Sequence, residues 1–451
     1  MIKHLLFILC LVFHSHLFAS LSIYEHTLKN GLRIIVVSTN ANGKVYWGIL
    51  YKVGSVDDPE CKIGVSHFLE HMMFYGTDNM SKEQLQDRLR KCCISYGANT
   101  SADYTHYHHT VKKEFLHESM QIEADRMQHL KINDDDVEKE RNVILEEKAR
   151  DVTPINKYMD DVVRHSLYLY SNYTSPTIGH EHHITKINKK SIIKHYKKYY
   201  VPNNATLIFV GDIQKNEAIE LAEKYFDKIK QTNKPINRKI VHEPLNTGIN
   251  YFVEKSIPEI KIQTLELTYT FDKSVLTTLK DWNVATFLMG MLFSPIAVIK
   301  IMKDEKNLIS GGDISIVTNR GNRAFLSVRM QLRNGVSRHI VEEEFLKIVR
   351  YSRDKFLTEE LLIKQKEKNE NFWKFLMDSP EAIFEDIVDS VKDGLTVCDM
   401  NNRAEIVERI TLDDVRSIAS KILKEDNITH RVYYCPSLSC SEFSGKSSRK
   451  P

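Results

Sequence analysis

Two hydrophobic periods alternate along this chain. Short runs rich in Ile, Val, Tyr and Phe read as strands; longer segments with an apolar residue every three or four positions read as amphipathic helices. Strands are expected at residues 23–27 and 32–37, around the turn Lys29-Asn30-Gly31, and at 46–53. Asp57-Asp58-Pro59 breaks the third strand, and a helix begins soon afterwards. Ser81-x-x-Gln84 has the form of a capping box opening a helix to about Cys93. A strand is expected at 104–112 and helical spacing runs over 113–129. Asn133-Asp134-Asp135-Asp136 offers an N-cap and an acidic first turn for a long helix through residue 147. A helix at 192–200, a strand at 205–210 and a helix at 216–228 complete the first half.

Residues 231–239 are polar, contain Pro235 and carry no period, so they read as a linker. The plan then partly repeats. Strands are expected at 248–252 and 263–270, one helix over 282–302, and strands near 314–317 and 324–331. Helices follow at about 337–356, 359–377, 382–392 and 412–424, with a last strand at 430–435. The order predicts an α+β protein of two related halves, 20–230 and 240–440, each a mostly antiparallel sheet packed against helices. The symmetry lies in the order of elements, with no strong residue-level repeat. Residues 441–451 form a basic, Ser-rich tail expected to be disordered.

Composition changes this picture mainly at the N-terminus. The 451 residues are 42% hydrophobic and 27% charged, ordinary for a globular chain, and a net charge of +3 gives no argument for nucleic acid or a membrane surface. Residues 1–19 differ: a short basic start, an unbroken apolar run over 5–13, then Leu17-Phe18-Ala19-Ser20. That is the layout of a secretory signal peptide cleaved after Ala19, too short to span a bilayer, and it predicts an exported, periplasmic protein. Of seven cysteines, Cys10 lies in this leader and six remain, an even number that allows disulfides. Cys435 and Cys440 are spaced to close a small loop. Asn172-Tyr173-Thr174 fits a glycosylation pattern.

The chemistry concentrates in Gly64-Val65-Ser66-His67-Phe68-Leu69-Glu70-His71-Met72-Met73-Phe74-Tyr75-Gly76-Thr77. His67 and His71, four apart, share a helix face and can reach one metal ion. Glu70 is close enough to that face to take a proton from a water held there. A catalytic zinc needs a third protein ligand and an open position. The best source is the acidic stretch 138–147, in which Glu140 and Glu147 lie two helical turns apart on one face, while Glu146 points away by about 100°. A solvated acidic helix face has the same pattern. His106-x-His108-His109 and His180-x-His182-His183 also have the look of metal clusters, though surface histidines are common in a chain with 19 of them.

The chain resembles the pitrilysin or insulinase family of His-x-x-Glu-His zinc metallopeptidases. The likeness is greatest to the short, two-domain branch that includes the mitochondrial processing peptidase. The matching stretches are residues 64–77, Glu140-Arg141-Asn142-Val143-Ile144-Leu145-Glu146-Glu147, Tyr199-Tyr200-Val201-Pro202-Asn203-Asn204-Ala205 and Val210-Gly211-Asp212. The resemblance implies a clamshell of two domains around a chamber, one zinc ion per chain held by His67, His71 and Glu147, Glu70 as general base, and Glu140 as an acidic residue supporting catalysis. It also implies that a peptide substrate adds as a strand along Gly97-Ala98-Asn99-Thr100-Ser101, with Ala98, Asn99 and Thr100 as contacts. Gly97 stands where the family usually has Asn, which puts one hydrogen bond in doubt.

The second half departs further from the pattern. Family members that bind substrate through their own second domain show an Arg and, seven residues later, a Tyr. Here Lys303 and Ser310 fall at those positions, and Lys lacks the planar fork of Arg. Lys303 is carried as a substrate contact, and a partner chain of the same fold, in a homodimer or a heterodimer, is expected to supply an Arg/Tyr pair. The expected function is exported zinc-dependent endopeptidase. The alternative is a non-catalytic peptide-binding or scaffold subunit of the same fold.

Overall fold

A computed structural model describes residues 21–151, 167–232, 236, 238, 241–244, 251–257, 261–293, 297–320 and 322–436. The expected leader at 1–19, most of the linker and the tail at 441–451 lie outside them, as do Cys10 and Cys440.

The first half is a six-stranded sheet. Its strands are β1 (Ile23–Thr27), β2 (Arg33–Ser38), β3 (Lys44–Tyr51), β4 (Cys93–Thr100), β5 (Thr105–Lys112) and β6 (Ala205–Gly211). They lie in the order β1-β2-β6-β3-β5-β4. Only β2 and β6 run parallel; the other neighbours are antiparallel. The second half has β7 (Tyr251–Ser256), β8 (Thr264–Asp272), β9 (Ile309–Arg320), β10 (Arg323–Leu332) and β11 (Ile428–Cys435), ordered β7-β11-β8-β10-β9. Again one pair, β7 and β11, is parallel and the rest antiparallel. In each half the last strand inserts between the first and second core strands. The two sheets therefore repeat one topology, with β1 an addition to the first.

Helices cover these sheets: α1 (Val65–Met72), α2 (Lys82–Cys92), α3 (Leu116–His129), α4 (Asp134–Asp151), α5 (Lys189–Tyr199) and α6 (Lys215–Phe226) in the first half, then α7 (Leu279–Leu292), α8 (Arg338–Phe356), α9 (Glu359–Met377), α10 (Pro380–Lys392) and α11 (Leu412–Ile422). Several begin on caps, two of them, at Ser81 and Asn133, expected from the sequence. Ser81 and Gln84 make the reciprocal capping box of α2, and Asn133 accepts from the Asp136 amide at 2.7 Å at the start of α4. Ser379 caps α10, with Pro380 in its first turn. No helix among the described residues is long and apolar enough to cross a membrane.

One face of the first sheet packs against α1 and α3 to α6 around Trp47, Ile49, Tyr107, Leu207 and Phe209. Its other face, with Ile35, Val37, Leu50, Ile208 and Val210, is covered from the second half by Ile383, Phe384, Ile387, Val388 and Val391 of α10. Because β2, β3 and β6 are buried on both faces, they read as apolar runs with little alternation. Arg238, in the expected linker, ties itself to the rim of this sheet through Asp57 and Asp103, each at 2.6 Å.

Two expectations need correction. The helix expected over 282–302 ends at Leu292; Val298–Lys300 and a wide turn over Ile301–Glu305 follow separately. Pro295 sits between them in the sequence, and a proline in a helix interior removes a donor and clashes with the preceding turn. Periodicity predicts no strand at β4, whose residues show no clean alternation, whereas the resemblance implies a sheet edge at residues 97–101. Apart from these, the Asn172 side chain donates to the carbonyls of Val56 and Asp58, at 3.2 and 2.8 Å.

Phe384 is 3% exposed and joins the two halves. Phe384→Ala is expected to lower unfolding free energy by about 3–5 kcal/mol, as for other large aromatic deletions in cores. Urea denaturation checks this; a loss below about 1 kcal/mol would mean that α10 does not hold the halves together.

Candidate metal centre

α1 has only eight residues, and its exit and entry are both held from outside. Its N-cap, Gly64, has φ 102°, and a side chain there would meet the Ile178 carbonyl at 2.5 Å, so only glycine fits. Asp58, fully buried, accepts from the amides of Gly64 (2.6 Å) and Ser66 (3.1 Å), two donors that the first turn of a helix leaves open. Ser66 Oγ also donates to Asp58, at 2.6 Å, and lies 2.9 Å from His195 Nε2. Burial pushes the Asp58 carboxyl up to about 8, against the pull of these donors. Burial, with a smaller contribution from Lys198, pushes His195 down to about 3.

On the exposed side of α1 the two imidazoles stand 4.7 Å apart between ring centres. Glu147 of α4 reaches both: Oε1 lies 3.6 Å from His67 Nε2, and Oε2 lies 3.4 Å from His71 Nε2. The ligand-capable atoms of His67, His71 and Glu147 lie within 4.8 Å of one another, the only such group among the described residues. Tetrahedral zinc with bonds near 2.0–2.1 Å separates its ligands by about 3.3 Å, so the donor set and its spacing fit an ion of that size. Glu140, two turns earlier on α4, takes a different place. Its Oε1 accepts from His71 Nδ1 at 2.7 Å and its Oε2 from the Tyr75 hydroxyl at 2.6 Å. A carboxylate on Nδ1 keeps the proton there and leaves the Nε2 lone pair facing Glu147.

The charges are graded by environment. Burial and the neighbouring His71 push His67 down to about 3, keeping it a neutral donor. For His71 burial acts downward, but the bond to Glu140 and the charges of Glu140, Glu70 and Glu147 raise it overall. Glu70 is 8% exposed, and burial raises its carboxyl above the ordinary range. Thr100 Oγ1 of β4 donates to Glu70 Oε2 at 2.5 Å.

The other expected residues are distributed as follows. β4 is an edge strand; Ala98 packs on the first core, Asn99 is exposed, and Thr100 holds Glu70. A side chain at Gly97 would come 2.7 Å from His108 Nε2 on the paired strand, so the imidazole occupies the space an Asn would need. Lys303 is exposed on the wide turn of the second half, and Ser310 donates to the Gln331 carbonyl at 3.3 Å. Among the described residues neither is within bonding distance of the His67 cluster. His106 and His109 are buried structural residues; His109 stacks on Trp47 and lies 3.1 Å from Glu123. The rings of His180, His182 and His183 lie 4.1–5.8 Å apart without forming a convergent donor set. Cys61, Cys92, Cys93 and Cys398 are free, and Cys435 is disulfide-bonded. Sequence reading missed Asp58, Ser66, His195 and Tyr75. Only proximity in the fold reveals them, since no spacing links residue 195 to residue 58.

A family model described as Insulinase (Peptidase family M16) matches residues 33–178, and one described as Peptidase M16 inactive domain matches residues 186–369. The chain is 31% identical over 226 residues to the zinc protease PqqE of Helicobacter pylori, covering 49% of this chain and 51% of that protein. It is 24% identical over 231 residues to the probable mitochondrial-processing peptidase subunit beta of Arabidopsis thaliana, covering 51% and 44%. The chain spans about half the length of the curated relatives it matches. Its fold superposes on the crystal structure of a protease from Helicobacter pylori with a TM-score of 0.81 at 22% identity, over 92% of this chain and 100% of that one.

The depressed His195 yields a pH prediction. A folded pKa near 3 against an ordinary 6.5 means that the folded state prefers the neutral ring. That stability is complete above pH 6.5 and drains away as pH falls from 6.5 toward 3, by up to about 1.4 kcal/mol per pH unit. Chemical denaturation of wild type and His195→Gln between pH 7 and 4 is expected to give a flatter acid limb for the variant. Parallel limbs would contradict this.

Proposed function

The chain belongs to the insulinase family of M16 peptidases, whose two-domain clamshell fold it shares, and we propose that it is an exported zinc-dependent endopeptidase acting on peptides or unfolded polypeptides. The observation that carries this reading is the convergence of His67, His71 and Glu147 beside the buried Glu70. In it His67, His71 and Glu147 hold one zinc ion. The chemistry zinc supplies at such a site is acidification of the attacking water and polarisation of the scissile carbonyl.

The chain's own groups do the rest. Thr100 holds the Glu70 carboxylate through its hydroxyl, and Glu70 takes the proton of the attacking water. The raised pKa of Glu70 brings its carboxyl closer to the range in which a group both accepts that proton and returns it to the leaving amine. Glu140 orients His71. The open edge of β4 offers backbone donors and acceptors to an extended peptide, along Ala98, Asn99 and Thr100 and next to Glu70. Export rests on the leader-like residues 1–19. The division into 20–230 and 240–440 across the linker belongs to the same proposal.

A second reading is a non-catalytic, peptide-binding subunit. It is favoured by Lys303 and Ser310, which stand apart from the cluster where an Arg/Tyr pair is expected, and by Gly97 in place of an Asn. In either reading a second chain of the same fold completes the peptide site.

Glu70→Gln is expected to retain zinc and to lose peptide hydrolysis by about 10²- to 10⁴-fold, whereas Glu147→Ala loses the zinc. Metal analysis and cleavage of a quenched fluorescent peptide check both. Undiminished cleavage by Glu70→Gln would sink the assignment. Zinc without cleavage by the wild type, with or without a partner chain, would leave the second reading.

A further inference from the structure

We infer that Tyr75 and Lys82 are positioning residues for the metal ligand His71, acting through Glu140; the inference rests on the proposed zinc site. Tyr75 leaves α1 in the turn that follows it, its amide held by the Met72 carbonyl at 3.0 Å. Its hydroxyl donates to Glu140 Oε2 at 2.6 Å, while His71 Nδ1 takes Oε1 at 2.7 Å. One donor on each oxygen fixes both the reach and the rotation of the carboxylate plane. With His71 alone, Glu140 would hold a single contact and could swing about its last torsion, which is soft for a carboxylate.

The tyrosine ring is itself held. Lys82 Nζ stands 3.5 Å from its centre, a close cation–π contact. Lys82 is the first residue of α2, where the helix dipole disfavours a cation. Its charge there does nothing for α2 and is placed where it clamps Tyr75. The chain of contacts is therefore Lys82 on Tyr75, Tyr75 on Glu140, Glu140 on His71. Tyr75 and Lys82 are both only half-buried, so their replacement leaves the core intact.

The test measures the rate at which zinc passes from the full-length protein to an excess of chromogenic chelator. His71→Ala serves as the control for the site itself. Outer-shell partners of metal ligands commonly change metal affinity by about 10–100-fold, and Tyr75→Phe is expected to release zinc faster by a factor in that range with an unchanged melting temperature. Because Tyr75 acts through Glu140, Tyr75→Phe/Glu140→Gln should release zinc no faster than Glu140→Gln alone. Lys82→Met should show a smaller acceleration, which Lys82→Arg reverses. Wild-type release by Tyr75→Phe, or additive effects in the double variant, would overturn the inference while leaving the zinc site standing. Zinc binding unaltered in His71→Ala would instead overturn the site, and this inference with it.

Discussion

An eight-residue helix cannot hold its own shape in water, because nucleation costs more than so few backbone bonds return. Yet α1 carries two imidazoles and a carboxylate that must keep one geometry. Much of the first half can be understood as the means of holding it. Val65, Phe68, Leu69 and Met72 are anchored in the core. Asp58 satisfies two amides of the first turn, and Gly64 lets the chain enter where another backbone crosses. At the far end the turn through Tyr75 returns to α4 through Glu140. The apolar stripe of α1 thus faces inward, and the polar remainder has one direction left to point.

The four carboxylates around this helix illustrate how environment divides labour among like groups. Asp58 is buried among hydrogen-bond donors and caps the helix. Glu70 is buried, and the bonds it accepts from Thr100 do not offset that burial, so it is raised toward neutrality. Glu140 is also partly buried, but bonds to His71 and Tyr75 outweigh that burial and hold it below its ordinary value. Glu147 is more exposed, with its oxygens toward the two ring nitrogens. Such separation of neighbouring acids is how one site can hold both a proton carrier and fixed charges.

The second half matters to this site through packing. α10 closes the back of the first sheet, so the strands that support α1 are pressed between helices of both halves. The repeated sheet topology gives β9 the same edge position as β4. The second sheet, however, has no counterpart of the histidine helix among the described residues.

Much of this was legible in the chain's own periodicities. The spacing of His67, Glu70 and His71, and the two turns between Glu140 and Glu147, follow from 3.6 residues per turn and need no tertiary information. Caps at Ser81 and Asn133 are equally local. Spacing alone did not distinguish the two glutamates, because they share a helix face; the family resemblance implied Glu147 as ligand and Glu140 as support, and the approach of α4 to α1 puts Glu147 near the Nε2 atoms and Glu140 on Nδ1. The hydrogen bond that Gly97 puts in doubt stays so, and the paired strand adds that His108 fills the space beside it. β4 showed no period from which a strand could be read, and Asp58 read as a mere breaker because its partners come from residues 64, 66 and 195. The sequence by itself therefore determined which chemistry the helix can carry, since that depends on residue type and helical period. Tertiary structure alone decided which nitrogen each glutamate faces and what holds the helix in place, since that depends on distances between segments far apart along the chain.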